Sequence, residues 1–278
     1  MNNRHIESED DFLALIAATF PNSHPSLVLG RGDDCAEIAC PPQMAVSTDL
    51  FVEDIHFRRA YFSPFEIGYK ALAVNISDIA AAGAKPLGVS VGLVVPVPFP
   101  YDFAQELVHG LADAAKRHGL ALTGGDLSRG DKISLCVTIW GAPSGKQLEG
   151  EPQFLRRGPV APGDTLFVCG RIGLARAGLL SFERHGRDFT LQAYPNAAMA
   201  HLMPKPLVDA GLKLANVPNC RLMDVSDGLM RDLPRMLRAY GADCGAEIAI
   251  PENALHAEAK RFAESLNEDP AHFAFRGG

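Results

Sequence analysis

Two periods of apolar residues interleave along the first half of the chain. Short runs at 26–29, 44–48, 88–95, 120–123 and 133–140 are rich in β-branched and apolar residues and are bounded by turn formers. They predict strands. The run at 89–98 is too short to span a bilayer and reads as a buried strand. Between strands, 63–83 carries helical spacing. Ser63-Pro64-Phe65-Glu66 offers an N-cap serine, a proline at the first helical position and a glutamate at the third, which is a capping box. Gly83 provides the stop and Pro86 prevents continuation. A second helix is predicted over 101–118, ending at Gly119.

From Gly141 to Asp164 the periodicity gives way to Pro, Gly, Ser and charge, and the domain boundary is expected there. Beyond it, strands are predicted at 164–169, 221–223 and 244–250. Helices are predicted from Ile172, over 206–216, over 229–240 and over 254–266. Alternating strands and helices define an α/β (α+β) protein of two domains, without repeats or low-complexity tracts.

Composition narrows the class. With 47% apolar and 21% charged residues the chain is a soluble globular protein. The start, Met1-Asn2-Asn3-Arg4-His5-Ile6-Glu7, lacks a secretory apolar stretch, so a cytoplasmic protein is expected, with no membrane partner. A net charge of −7 without a basic block speaks against nucleic acid. The six cysteines show no C-x-x-C spacing and read as buried free thiols rather than zinc ligands or disulfides.

The chemistry sits in short aspartate motifs: Gly32-Asp33-Asp34, Ser47-Thr48-Asp49, Gly124-Gly125-Asp126 and Asp224-Val225-Ser226-Asp227-Gly228, with Asp78 in Asn75-Ile76-Ser77-Asp78. Carboxylates repel phosphate but hold hard cations that neutralise it. No G-x-x-x-x-G-K-[ST] loop accompanies them, so nucleotide chemistry routed through metal ions is indicated. Each motif also has a plainer reading. Gly32-Asp33-Asp34 is a good turn, Ser47-Thr48-Asp49 a cap or turn, and Asp227 a helix N-cap. Gly124-Gly125-Asp126 follows an apolar strand and leaves backbone N–H groups open to a nucleotide. Asn75 and Asp78, three apart, share one helix face among alanines, where an aspartate is costly unless paired or metal-bound. His56, taken alone, is a structural or surface histidine.

In combination the motifs resemble the thiamine-monophosphate kinase family, within the aminoimidazole ribonucleotide synthetase superfamily. The resemblance runs from Phe12 to the end of the chain. Its most specific strings are Ser47-Thr48-Asp49-Leu50-Phe51-Val52-Glu53-Asp54-Ile55-His56-Phe57 and Lys70-Ala71-Leu72-Ala73-Val74-Asn75-Ile76-Ser77-Asp78. The resemblance implies that Asp34, Ser47, Thr48, Asp49, Asp78, Asp126 and Asp224 ligate several Mg2+ ions, and Asp227 a further one. It implies that Gly125, Asp126, Arg157 and Ser226 contact ATP and that His56 meets thiamine monophosphate. No residue is assigned as a general base.

It further implies an N-terminal domain (1–145) with a mixed sheet and helices, which binds ATP and Mg2+ and pairs through its sheet in a homodimer. The C-terminal α/β domain (146–278) is expected to be incomplete. The family continues past Gly-Gly with Glu-Asp and further residues that help hold the thiamine, and this chain stops at Gly277-Gly278. Leu127 stands where the family has threonine. Other ATP-using enzymes of the superfamily (the hydrogenase maturation dehydratase, selenophosphate synthase and purine cyclo-ligase types) and a noncatalytic nucleotide-binding relative are the alternative readings.

Overall fold

The computed structural model describes residues 5–144, 154–241 and 244–277. The expected domain boundary at 145/146 lies outside them.

A four-stranded mixed sheet forms the N-terminal part. Its strands are β4 (Ala45–Val52), β5 (Ala84–Val95), β7 (Ala121–Arg129) and β8 (Ser134–Pro143), in the order β4-β8-β5-β7. β8 runs antiparallel to both β4 and β5, and β5 pairs parallel with β7. Two-stranded pairs join β1 (His5–Ile6) to β6 (Phe99–Pro100) and β2 (Leu27–Leu29) to β3 (Glu37–Ile38).

The period-two alternation of the strands splits the sheet into unlike faces. Phe51, Val89, Leu93, Leu135, Val137 and Ile139 are buried on one side. Val46 and Leu50 stand 58% and 60% exposed on the other. β5, expected to be buried, is therefore buried on one face only.

Helix α2 (Pro64–Ala81) lies on β4, β5 and β8, and α3 (Tyr101–His118) lies along α2. Sandwiched in this way, α2 is apolar nearly all round, as a buried helix should be. The two helices approach closely because each offers a glycine: a Cβ on Gly68 would come within 2.0 Å of Leu107 O, and one on Gly110 within 2.0 Å of Phe65 O. The capping box of α2 forms as read. Ser63 Oγ accepts from Glu66 N–H and Glu66 Oε2 accepts from Ser63 N–H. Gly83, at φ +64°, ends the helix. Helix α1 (Glu9–Thr19), which was not anticipated, carries a similar box built from Ser8 and Asp11.

The C-terminal part is helical: α4 (Leu174–Ala193, broken at Gly186), α5 (Pro195–Leu202), α6 (Val208–Leu214), α7 (Leu229–Leu237), α8 (Ala257–Ser265) and α9 (Pro270–Phe275). Helix α5 and helix α9 were not anticipated. The expected strands at 164–169, 221–223 and 244–250 carry no ladder among the described residues. Apolar alternation there has no partner strand to satisfy the backbone, and Phe167 is left 82% exposed. The helix expected over 229–240 ends at Leu237, because Tyr240 adopts a left-handed conformation (φ +59°).

The main apolar core runs from the sheet and α2 into Phe182, Ala198, Leu202 and Val208, and a smaller cluster joins α4, α5, α8 and α9. Polar contacts also bolt the parts together, two of them to α2 side chains. Arg187 on α4 grips Glu66 on α2 with two nitrogens, at 2.7 and 2.9 Å. Lys70 Nζ donates to the carbonyl of His201, in the last turn of α5, at 2.7 Å. Among the described residues no helix is long and apolar enough to cross a membrane. The cysteines are free but not buried: Cys35, Cys40 and Cys169 are exposed and the other three half-buried, because they lie on loops or on the open sheet face.

Candidate nucleotide and phosphate site

Residues distant in sequence meet where the last turn of α2 faces the C-terminal part. Asp78 accepts a 2.5 Å hydrogen bond from Ser47 Oγ on β4. The C-terminal end of α2 also places Arg157: Leu155 N–H donates to Ala82 O at 2.9 Å, and two residues later Arg157 faces the carboxylates. Leu222 N–H donates to Arg156 O at 3.0 Å, which seats the segment leading into Asp224 alongside. The result is an open cleft of about 370 Å³ lined by Ser47, Asp78, Leu155, Arg157, Asp224 and Tyr240 among others.

The electrostatics tie the cleft together. Burial pushes the Asp78 carboxyl up to about 6; Ser47 and Arg157 restrain it, and Asp224 and Asp49 push it further. Burial likewise raises Asp224, with Arg157 opposing and Asp232 and Asp49 adding. Three carboxylates and one guanidinium thus share one field, short of positive charge.

Not every anticipated residue joins them. Thr48 alternates with Ser47 and Asp49, so its hydroxyl points to the other face of the sheet and bonds Thr138 Oγ1 at 2.9 Å. Gly125 and Asp126 lie on β7, at the far edge from β4, about 14 Å away at three strand spacings. A Cβ on Gly125 would fall 1.8 Å from Val91 O, so close strand packing alone demands the glycine. Asp126 is exposed and accepts from Ser128 Oγ at 3.1 Å.

Asp34, also exposed, lies on a loop that is tethered beside the start of β7. Arg31 donates to the carbonyls of Leu122 (2.7 Å) and Phe20 (2.9 Å), and its N–H donates to Asn22 Oδ1 at 2.6 Å. Asp227 is exposed and paired with Arg235 at 2.9 Å, and the N-cap position falls on Gly228 instead. Ser226 is exposed on the same loop. His56 lies in the turn after β4, stacked on Phe51, and its Nδ1 accepts from Val52 N–H at 3.0 Å. The neutral ring therefore carries its proton on Nε2. Asn75 is fully buried and bonds back to Ala71 O at 2.8 Å, as a core residue.

Sequence reasoning missed two residues, Arg31 and Asp232. Arg31 left no signal, since its partners are main-chain carbonyls. Asp232 stands one turn into α7, where an acid reaching back to the preceding loop could have been suspected.

A hard dication suits the donor set, which offers only carboxylate and hydroxyl oxygens. Among the described residues no three His, Cys, Asp or Glu side chains are drawn together tightly enough to hold a metal. A cation here would complete its shell with water or phosphate oxygens, as Mg2+ commonly does.

Comparison with known proteins places the chain in a family. Residues 32–142 match the family model of the AIR synthase related protein, N-terminal domain. The chain is 33% identical to the thiamine-monophosphate kinase of Rhodopirellula baltica, with 97% of this chain and 79% of that protein aligned. It is 34% identical to the Mycobacterium tuberculosis (H37Rv) enzyme of that name, over 91% of this chain and 73% of the relative. The crystal structure of thiamine-monophosphate kinase from Stenotrophomonas maltophilia superposes with a TM-score of 0.77 at 30% identity, covering 100% of this chain and 85% of that one. The chain belongs to the thiamine-monophosphate kinase family.

Proposed function

We propose that this chain transfers the terminal phosphoryl group of ATP to the phosphate of thiamine monophosphate, giving thiamine diphosphate and ADP. The observation that carries the reading is the convergence of Asp49, Asp78 and Asp224 with Ser47 and Arg157 from four separate segments. An oxygen of the acceptor phosphate attacks the γ-phosphorus, and the bond to the β–γ bridging oxygen breaks as ADP leaves. No general base is required, because a phosphate monoester has its second pKa near ~6 and is already ionised at neutral pH. The barrier is the meeting of two anions, so positioning and charge stabilisation dominate.

Asp49, Asp78 and Asp224 would hold Mg2+, which when bound supplies the positive charge that screens phosphate oxygens. Arg157 adds a fixed cation on the same side, and Ser47 orients Asp78. Asp34 and Asp126 would take further Mg2+, through which nucleotide phosphates could be met, with Gly125 beside Asp126 on β7. His56 offers an Nε2 donor to the acceptor and need not move protons. Ser226 and Asp227 flank Asp224 on the loop before α7; Asp227 would have to leave Arg235 to take an ion.

The same reading assigns residues 1–145 to ATP and Mg2+ binding and to subunit pairing, and 146–278 to a second domain. The open sheet face, with Val46 and Leu50, would be covered by a second copy in a homodimer. Leu50→Lys should then yield monomers in light scattering; an unchanged mass would refute that surface. A cytoplasmic setting suits both the ATP supply and free thiols. The decisive assay is thiamine diphosphate formation by the 278-residue chain and its Asp78→Asn and Asp224→Asn variants. Turnover by the unaltered chain with near-complete loss in both variants supports the reading. Equal turnover in all three would end it.

A further inference from the structure

We infer that Asp232 is a positioning residue that folds the loop bearing Asp224 and Ser226 into the form the site uses. This rests on the phosphotransferase reading above.

The loop 224–228 forms no ladder and precedes α7, whose N-cap, Gly228, has no side chain with which to satisfy nearby N–H groups. Asp232, one turn inside the helix, reaches back instead. Its Oδ2 accepts from Ser226 N–H at 3.0 Å and from Asp227 N–H at 2.8 Å. Its Oδ1 accepts from Arg235 Nη1 at 2.8 Å, and that same nitrogen holds Asp227 Oδ2 at 2.9 Å.

The side chain of Asp232 is 3% exposed, whereas that of Arg235 is 53% exposed. A carboxylate withdrawn this far from water is costly unless its oxygens are satisfied, and here every bond that satisfies it is a bond to the loop or to Arg235. Two other buried acids among the described residues cap helices: Glu66 at the start of α2 and Glu258, through Ala197 N–H, at the start of α5. What Asp232 ties down is different, because two residues before Ser226 the loop presents Asp224 to Asp78 and Arg157. The negative end of Asp232 also lies in the first turn of α7, where the helix dipole favours it. The geometry makes Asp232 a clamp: it touches no reactant and fixes the backbone from which Asp224 projects.

The test uses the full chain with Asp224→Asn, Asp232→Ala and Asp232→Asn, singly and with Asp232→Ala combined with Asp224→Asn. Thiamine diphosphate formation is followed while Mg2+ and ATP are titrated. Asp232→Ala should raise the half-saturating Mg2+ concentration about tenfold, the scale seen when groups behind a metal ligand are removed. Because Asp232 acts through the loop, adding it to Asp224→Asn should cost less than about twofold more. Asp232→Asn keeps one acceptor oxygen and should shift half-saturation about threefold; it decides the matter if the alanine variant does not fold.

A merely structural Asp232 would lower the melting temperature and the yield of active enzyme, leave half-saturating Mg2+ unchanged, and act equally in both backgrounds. That result overturns the inference alone, provided Asp224→Asn is crippled. Asp224→Asn turning over like the unaltered chain overturns the site reading and the inference together.

Discussion

Strand β8 and the stretch 164–169 are alike in composition and opposite in fate. β8 is laddered on both sides, by β4 and β5, and buries Leu135, Val137 and Ile139 completely. Residues 164–169, Asp-Thr-Leu-Phe-Val-Cys, carry no ladder among the described residues and leave Phe167 almost fully in solvent. Strand propensity reports fitness for a pleated, half-buried surface, and only a neighbouring strand supplies that surface. The N-terminal part has its neighbours within 100 residues; among the described residues the C-terminal stretches have no ladder, and that part is held by helix packing and by its polar bolts to the N-terminal part.

Substitutions can break this contrast, beginning with the largest effect. Ile139→Ala, in the fully buried centre of the sheet, should cost about 2–5 kcal/mol in urea unfolding. A loss below about 1 kcal/mol would mean that the sheet is no better packed than the C-terminal stretches.

Next comes Asp78→Asn, expected to lower kcat/KM about a hundredfold, or about 2.7 kcal/mol of transition-state stabilisation. Its proton also offers a sign test. The folded chain holds the Asp78 proton up to about 6, above its ordinary value of 3.8. Without metal, stability therefore falls as pH rises from 3.8 to about 6. Added Mg2+ competes with that proton and should raise the melting temperature more at about pH 7.5 than at about pH 5. Equal shifts at both values would remove Asp78 from the ion's shell.

Glu66→Gln loosens the bolt to Arg187 and should cost about 1–2 kcal/mol, discounted because Arg187 is partly exposed. Burial would raise the Glu66 carboxyl, but Arg187 and Ser63 outweigh it and hold it below 4.5. Its contribution is present above 4.5 and lost as pH falls through the lower folded value, so wild type and variant should converge in acid. A gap that does not narrow as the pH falls below 4.5 would contradict the pairing.

Smallest is Phe167→Ser. Removing an exposed ring should change stability by less than about 0.5 kcal/mol. A larger loss would show that 164–169 is packed after all.

The same contrast explains what could be read beforehand. Helix α2 was legible to within two residues because its start and stop are local: Ser63, Pro64, Glu66 and Gly83 act within a turn of themselves. The sheet strands were legible because each has its ladder. The ladderless stretches misled, since apolar alternation says nothing of a partner. Helices α5 and α9, of 8 and 6 residues, offer little repeat to read, but length alone does not decide it, since the 11-residue α1 was missed and the 7-residue α6 was not.

In the candidate cleft, the family resemblance had singled out Asp49, Asp78, Asp224 and Arg157, and the fold brings them into one electrostatic field. The resemblance could not announce that Thr48 turns away or that Gly125 and Asp126 sit across the sheet, because facing and strand order are set by tertiary pairing. Arg31 was silent, and Asp232 gave only its place in the first turn of α7, for a related reason: their partners are largely main-chain atoms, which have no sequence of their own.

One strand carries a last consequence. Along β4, Ser47 and Asp49 turn toward α2 while Val46, Thr48 and Leu50 turn toward the open face. With that face reserved for a second copy, as proposed, chemistry and assembly are written on alternate letters of a single word. A wedge between subunits would then reach the carboxylates through one thickness of backbone, and nucleotide in the cleft should register as a change in the rate at which subunits exchange.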